Sequence, residues 1–194
     1  DLVCVLALTP FAVPLLMVLA LFVGLNSGSP LYSQQRVGRY GRTFRCWKLR
    51  TMVPDADARL QHMIAADPQV AEEWLRFQKL SKDPRITSLG WFLRKSSLDE
   101  LPQLWNVLVG GMSLVGPRPF TPDQAALYMG GQRDVAYYAL RPGITGAWQV
   151  GDRHATGFGA RAVADREYEN TLSLRAGRST LARTVGVVLR GTGA

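Results

Sequence analysis

Between Leu2 and Leu25 the chain carries no ionisable group apart from the Cys4 thiol, and most of its residues are aliphatic. This run constrains the fold more than any other feature. As continuous helix it is about 36 Å long, against roughly 30 Å of bilayer hydrocarbon. A cleaved leader is not expected from so long a run. Pro10 and Pro14 interrupt it. Pro10 has no N–H to give the carbonyl of Leu6, and its ring crowds that carbonyl, so a bend is expected. A bend at Thr9-Pro10 leaves legs of about 12 and 22 Å, each too short to cross alone. By hydropathy alone the run would be an ordinary transmembrane span, but the form that fits both short legs is a re-entrant helix that enters and leaves by one face, with the Thr9 hydroxyl covering part of the freed backbone. Residues 1–29 form this membrane segment and its turn, and 30–194 a single domain beside it.

Charge resumes abruptly. Arg36, Arg39, Arg42, Arg45, Lys48 and Arg50 follow the apolar run, in a chain of net charge +8 and pI near 10.0. Such a balance selects anionic partners: membrane lipid, phosphorylated small molecules or nucleic acid. Nucleic acid is excluded by the lack of an RNP-type aromatic motif, zinc spacing or basic recognition helix. Cys4 and Cys46 are too far apart in sequence to suggest a metal site, and His62 and His154 are isolated.

The rest reads as mainly α with a small β-hairpin. Leu31 to Arg36 and Thr43 to Leu49 have strand character around Gly38 and Gly41. A helix is expected from about Asp55 to Ala66, and another is announced by Asp67-Pro68, an N-cap with proline at N1. Its apolar face carries Trp74, Leu75, Phe77 and Leu80. "KDPRIT" forms a turn bearing Asp83 and Arg85.

"SSLDELPQLWNVL" (96–108) poses the functional question. Ser97 and Glu100 have the spacing of a capping box, and Asp99 with Glu100 would complement a helix dipole. Leu98, Leu101, Leu104, Trp105 and Leu108 mark the apolar side. Pro102, one turn in, should loosen the helix just beyond the acids, which a purely structural start would avoid. In "VGPRP", Pro117 and Pro119 hold Arg118 on stiff extended backbone suited to gripping a phosphate. "LRPGITGAWQVGDR" repeats the pattern, with Arg141 before a Pro-Gly turn and Trp148 and Arg153 beyond it. Paired acids beside stiffly held arginines suit a phosphorylated substrate and a divalent cation.

"KLRTM", "DPRIT", "SSLDELPQLWNVLVGGMSLVGPRP" and "RPGITGAWQV", in this order after a proline-broken apolar helix, resemble the bacterial sugar transferases. These are monotopic phosphoglycosyl transferases that begin exopolysaccharide and glycan assembly on a polyprenyl phosphate. The resemblance runs to about Tyr168. It implies a catalytic domain lying on the cytoplasmic face of the bacterial inner membrane. It also implies transfer of a sugar-1-phosphate from a UDP-sugar to undecaprenyl phosphate, releasing UMP. By the same resemblance Asp99 is the nucleophile, forming a phosphosugar-aspartyl intermediate, and Glu100 with Asp99 holds Mg²⁺. Lys48, Arg94, Arg118, Arg141, Arg153 and Asp165 match positions expected to contact substrate. The chain departs from the family pattern in "SLRAGRSTL", where Arg175 and Gly177 replace an aromatic residue and an aspartate, and at Gly151-Asp152. The competing expectation is a non-catalytic, polybasic membrane-bound scaffold. No motif addresses a particular sugar hydroxyl.

Overall fold

A computed structural model describes residues 1–129, 135–151, 158 and 161–190. The fold is mainly helical with a small antiparallel hairpin and a long apolar N-terminal helix. That helix, α1 (Leu2–Ser27), contains both Pro10 and Pro14. The Thr9 hydroxyl donates to the carbonyl of Val5 at 2.8 Å, one residue before the Leu6 carbonyl that Pro10 leaves without its N–H. In length and composition α1 is sufficient to enter a membrane.

Among the described residues, the fully buried positions of α1 lie toward its two ends. Val5 is buried with Cys46, Val107, Met112 and Leu114, and the Asp1 carboxylate accepts from Ser113 Oγ and the Leu114 amide. Leu19 and Val23 are buried with Leu49 and Leu93. Between them Leu8, Phe11, Val13, Leu15 and Met17 are exposed. An apolar face of that size in water would be strongly unfavourable, so the middle of α1 is built for lipid.

Strands β1 (Leu31–Val37) and β2 (Thr43–Leu49) pair antiparallel, with Tyr32 opposite Lys48, Gln34 opposite Cys46 and Arg36 opposite Phe44. Side chains alternate along a strand, so this register puts Arg36 and Lys48 on one face. The three-residue spacing of the basic run hides that convergence, because the turn between the strands resets the phase. Helices α2 (Ala56–Ala66) and α3 (Pro68–Phe77) pack together. Asp67 caps α3 as expected, its carboxylate accepting from the Gln69 amide at 2.8 Å.

Helix α4 (Ser88–Lys95) is capped by Thr87 and lies so close to Thr51 that a Cβ on Gly90 would meet the Thr51 carbonyl oxygen at 2.0 Å. A single 3₁₀ turn, Leu98–Glu100, follows, and then α5 (Gln103–Leu108) begins after Pro102. Pro102 therefore does divide the segment past the two acids. The expected apolar side holds for its leucines, Leu104 and Leu108 packing partly buried against the Val5 cluster and Leu98 and Leu101 against the Leu19 cluster, but not for Trp105. Gln103, Asn106 and Val107 are buried, while Trp105 is 59% exposed. Asn106 turns Trp105 outward: its amide donates to the Arg45 carbonyl at 2.7 Å and accepts from the Trp47 amide at 3.1 Å, stitching α5 to β2.

Two short strands, β3 (Ser113–Val115) and β4 (Gly143–Thr145), pair in parallel. The pairing needs glycine. A Cβ on Gly143 would stand 2.1 Å from the Gly116 nitrogen. Between them lie α6 (Ala125–Met129) and α7 (Val135–Ala139), and after them come α8 (Ala147–Val150), α9 (Arg161–Asn170) and α10 (Leu174–Leu189). Phe120, Tyr128, Tyr137, Phe158 and Val37 form an aromatic core behind β1. Arg175 is exposed on α10, and Gly177 faces open space there, so these two departures lie on the outer side of that helix.

Candidate active site

Asp99 and Glu100 sit on the 3₁₀ turn, which Ser97 enters with φ 58°, in the left-handed region. Such backbone is strained for a residue with a Cβ. The Ser97 side chain makes no cap hydrogen bond. The capping box read from the S-x-x-E spacing is therefore absent, because the positive φ turns Ser97 away and the Glu100 carboxylate is drawn to cations instead. Glu100 Oε1 accepts from Lys48 Nζ at 2.6 Å and from Arg118 Nη2 at 3.1 Å. Lys48 comes from the floor of the β-hairpin, and Arg118 from the stiff loop after β3. The parallel pair fixes that loop through the Gly143 amide, which donates to the Pro117 carbonyl at 2.8 Å.

Asp99 is buried, yet its nearest ion-pair partner is Lys48 Nζ at 3.8 Å, and among the described residues no hydrogen bond to its carboxylate is formed. The two neighbours consequently titrate in opposite senses. Burial raises the pKa of Asp99, with Lys48 pulling only partly the other way. Burial would also raise Glu100, but Lys48 and Arg118 outweigh it and hold that carboxyl down at about 2. One acid is tied and ionised at neutral pH. The other is loosely held and more basic, hence the better nucleophile of the pair.

The pocket beside Glu100 is lined by Arg36, Cys46, Lys48, Glu100, Gln103, Arg118, Pro119 and Gly143. Arg36 is fixed by donating to the Pro119 carbonyl and to Gln34 Oε1. Arg94, on α4, donates from Nε to Thr51 Oγ1 at 2.8 Å. Burial lowers its pKa, while the charges of Asp99 and Asp83 support it. Asp83 itself takes Arg85 at 2.8 and 2.6 Å in a buried fork, so the "KDPRIT" turn is a brace behind Arg94. The structure thus brings together Asp99, Glu100, Lys48 and Arg118, with Arg94 at their back.

Other expected positions fall elsewhere. Arg141 is exposed and lines a separate cavity with Ser113, Val115, Leu140, Tyr168 and Leu172. Asp165 is buried and accepts from the Tyr128 hydroxyl at 2.6 Å. Arg153 lies outside the described residues. Arg36, Gln103 and Asn106 were not singled out from sequence as site residues. The hairpin register is the signal that could have found Arg36.

A sequence profile of the family described as "Bacterial sugar transferase" matches residues 1–191. The chain is 44% identical, over its whole length, to a UDP-galactose-lipid carrier transferase of Erwinia amylovora and to an undecaprenyl-phosphate galactose phosphotransferase of Salmonella typhimurium. It spans 40% of the length of each. It is also 40% identical, over 96% of its length and 82% of the relative's, to the exopolysaccharide production protein ExoY of Sinorhizobium fredii. The chain belongs to the bacterial sugar transferase family.

Proposed function

We propose that this chain transfers a sugar-1-phosphate from a UDP-sugar to undecaprenyl phosphate at the cytoplasmic face of the bacterial inner membrane, opening exopolysaccharide or glycan assembly. The observation that carries this reading is the asymmetry of the acidic pair: Glu100 saturated by Lys48 and Arg118, Asp99 buried without a hydrogen bond among the described residues. The relatives named for galactose transfer to a lipid carrier and to undecaprenyl phosphate supply the substrate classes.

In the first half-reaction an Asp99 carboxylate oxygen attacks the β-phosphorus of the UDP-sugar. A P–O bond forms, and the bond to the bridging oxygen of UMP breaks, that oxygen keeping the electron pair. UMP is stable as a phosphate anion, so no general acid is needed to protonate the leaving group. In the second, a phosphate oxygen of undecaprenyl phosphate attacks the same phosphorus and Asp99 leaves as carboxylate. Lys48, Arg118 and Arg36 bind and orient the phosphate oxygens, and their fixed charges oppose the build-up of negative charge at phosphorus. Arg94 holds the Asp99 side of the site.

Two adjacent carboxylates suit Mg²⁺, which takes one or two protein carboxylates when phosphate oxygens and water complete its shell. Glu100 keeps Oε2 outside its contacts with Lys48 and Arg118, and Asp99 retains its oxygens, so this donor set fits. Glu100 with Asp99 would hold the ion. Bound there, it would supply Lewis-acid relief of the diphosphate charge.

The exposed middle of α1 and its two packed ends support a re-entrant insertion that leaves both ends beside the catalytic domain. The test of function is UMP release. The purified chain, given Mg²⁺, undecaprenyl phosphate and a panel of UDP-sugars, should release UMP with at least one of them. No release from any member would remove the proposal.

A further inference from the structure

Arg161 belongs to no motif that drew attention in the sequence. It opens α9, and its guanidinium carbon lies 4.2 Å from the ring centre of Trp148 and 4.1 Å from that of Phe158. The head group is therefore clamped between two aromatic faces, an arrangement that fixes its position without neutralising it. Among the described residues it forms no ion pair, and its buried Nε has no hydrogen-bond partner. Asp165, the nearest acid on the same helix, is engaged by the Tyr128 hydroxyl.

A guanidinium taken out of water is ordinarily paired or hydrogen-bonded, because desolvating an uncompensated charge is costly. Here burial, reinforced by the like charges of Arg118 and Arg36 and only partly opposed by Asp165 and Tyr128, draws its pKa down to about 9. The packing says what the clamp adjoins. Phe158, one jaw of the clamp, belongs to the cluster containing Val37 and Phe120. Those two residues adjoin Arg36 and Pro119 in the chain, and the Val37 amide donates to the Phe120 carbonyl at 2.9 Å. The clamp is thus seated behind the wall of the pocket that Arg36 and Arg118 line. Three guanidiniums from three separate elements feel one another's charge, and among the described residues only Arg118 forms an ion pair, with Glu100.

We propose that Arg161 is a phosphate-binding residue of this site, an aromatic-clamped third guanidinium that grips a phosphate group of a substrate alongside Arg36 and Arg118. The ligand chemistry is a phosphate anion, whether from the nucleotide diphosphate or from the lipid phosphate. Naming those two sources rests on the proposed transferase reading, while the anion site itself does not.

The test uses the full chain in lipid nanodiscs, titrated calorimetrically with UDP and, separately, with farnesyl phosphate. Arg161→Met keeps bulk between the rings and removes the charge, and Arg161→Lys keeps the charge. The Met variant should bind at least one of the two phosphates about tenfold or more weakly than wild type. The Lys variant should stay within about threefold of wild type, the guanidinium fork being lost but not the cation. A loss confined to UDP assigns Arg161 to the nucleotide, and one confined to farnesyl phosphate assigns it to the lipid. Wild-type affinity for both in a folded Met variant overturns the proposal. So does a Lys variant as weak as the Met one, which would give the effect to packing. Should Arg161→Met not fold, Arg161→Gln replaces it, and failure of both to fold returns Arg161 to the core and also overturns it. Wild-type protein that binds UDP but never releases UMP from a UDP-sugar would defeat the transferase reading and leave this site standing.

Discussion

Asp99 and Glu100 are neighbours in the chain and opposites in their surroundings. Lys48 Nζ is 2.6 Å from Glu100 and 3.8 Å from Asp99. That difference of one contact shell separates a clamped anion from an available one, and it makes the two acids respond differently to every perturbation.

Asp99→Asn should not destabilise the protein near neutral pH. The folded-state pKa of Asp99 lies above its ordinary value, because burial disfavours the charge. The folded state then holds its proton longer than the unfolded state, so stability falls as pH rises from the unfolded pKa toward the folded one. Removing the charge lifts that cost. Melting at pH 7 should occur at the wild-type temperature or above it, while turnover is lost. A marked fall in melting temperature would show that the Asp99 charge supports the fold.

Glu100 carries the opposite sign. Its folded pKa of about 2 lies below the ordinary value of 4.5, so its stabilisation is full above about pH 4.5 and disappears as pH falls toward 2. Denaturant midpoints measured across this acid range should drop for wild type. In Glu100→Gln the drop should be shallower, starting from a lower plateau. Parallel curves for the two proteins would contradict the ion pairing.

Gly90→Ala should be among the most damaging of small substitutions outside the site. The added methyl would stand 2.0 Å from the Thr51 carbonyl oxygen, a backbone atom that cannot swing aside. The α4–Thr51 contact also orients Arg94. A loss of about 2–3 kcal/mol in unfolding free energy is expected from such overpacking, together with reduced turnover. Wild-type stability would mean that α4 is not seated this closely.

The dyad was legible because Pro102 and the acids are local in sequence, and Arg118 because its flanking prolines announce a stiff stalk. The two strands of the hairpin, the Asp67 cap and the long apolar α1 were legible for the same reason: each is dictated within a few residues. What escaped depends on contacts distant in the chain. Arg36 joins the pocket only through the register of the β-hairpin, and Arg161 only through Phe158 and the aromatic core. β3 and β4 are three residues each and separated by two helices, too short for any pattern. The false capping box had the right spacing, but the positive φ at Ser97 is set by what Glu100 finds across the pocket. Trp105 was placed inward by periodicity and lies outward, because Asn106 binds β2.

The placement of α1 makes a prediction in membranes. With Cys4 and Cys46 replaced, single cysteines at Leu2 and Ser29 should react with an impermeant thiol reagent from the cytoplasmic side. Both positions flank packed ends of the helix. Reaction of the Leu2 position from the periplasm alone would replace the re-entrant form with a full span.

The central claim is that Asp99 becomes covalently linked to the phosphosugar. The direct measurement is intact-protein mass spectrometry after incubation with the preferred UDP-sugar and Mg²⁺, with no lipid acceptor present. Wild-type protein should gain the mass of one sugar phosphate, mapped to the peptide containing Asp99 and discharged when undecaprenyl phosphate is added. Asp99→Asn should gain nothing. An adduct on the Asn variant, or undiminished turnover by that variant with its fold intact, would contradict the account.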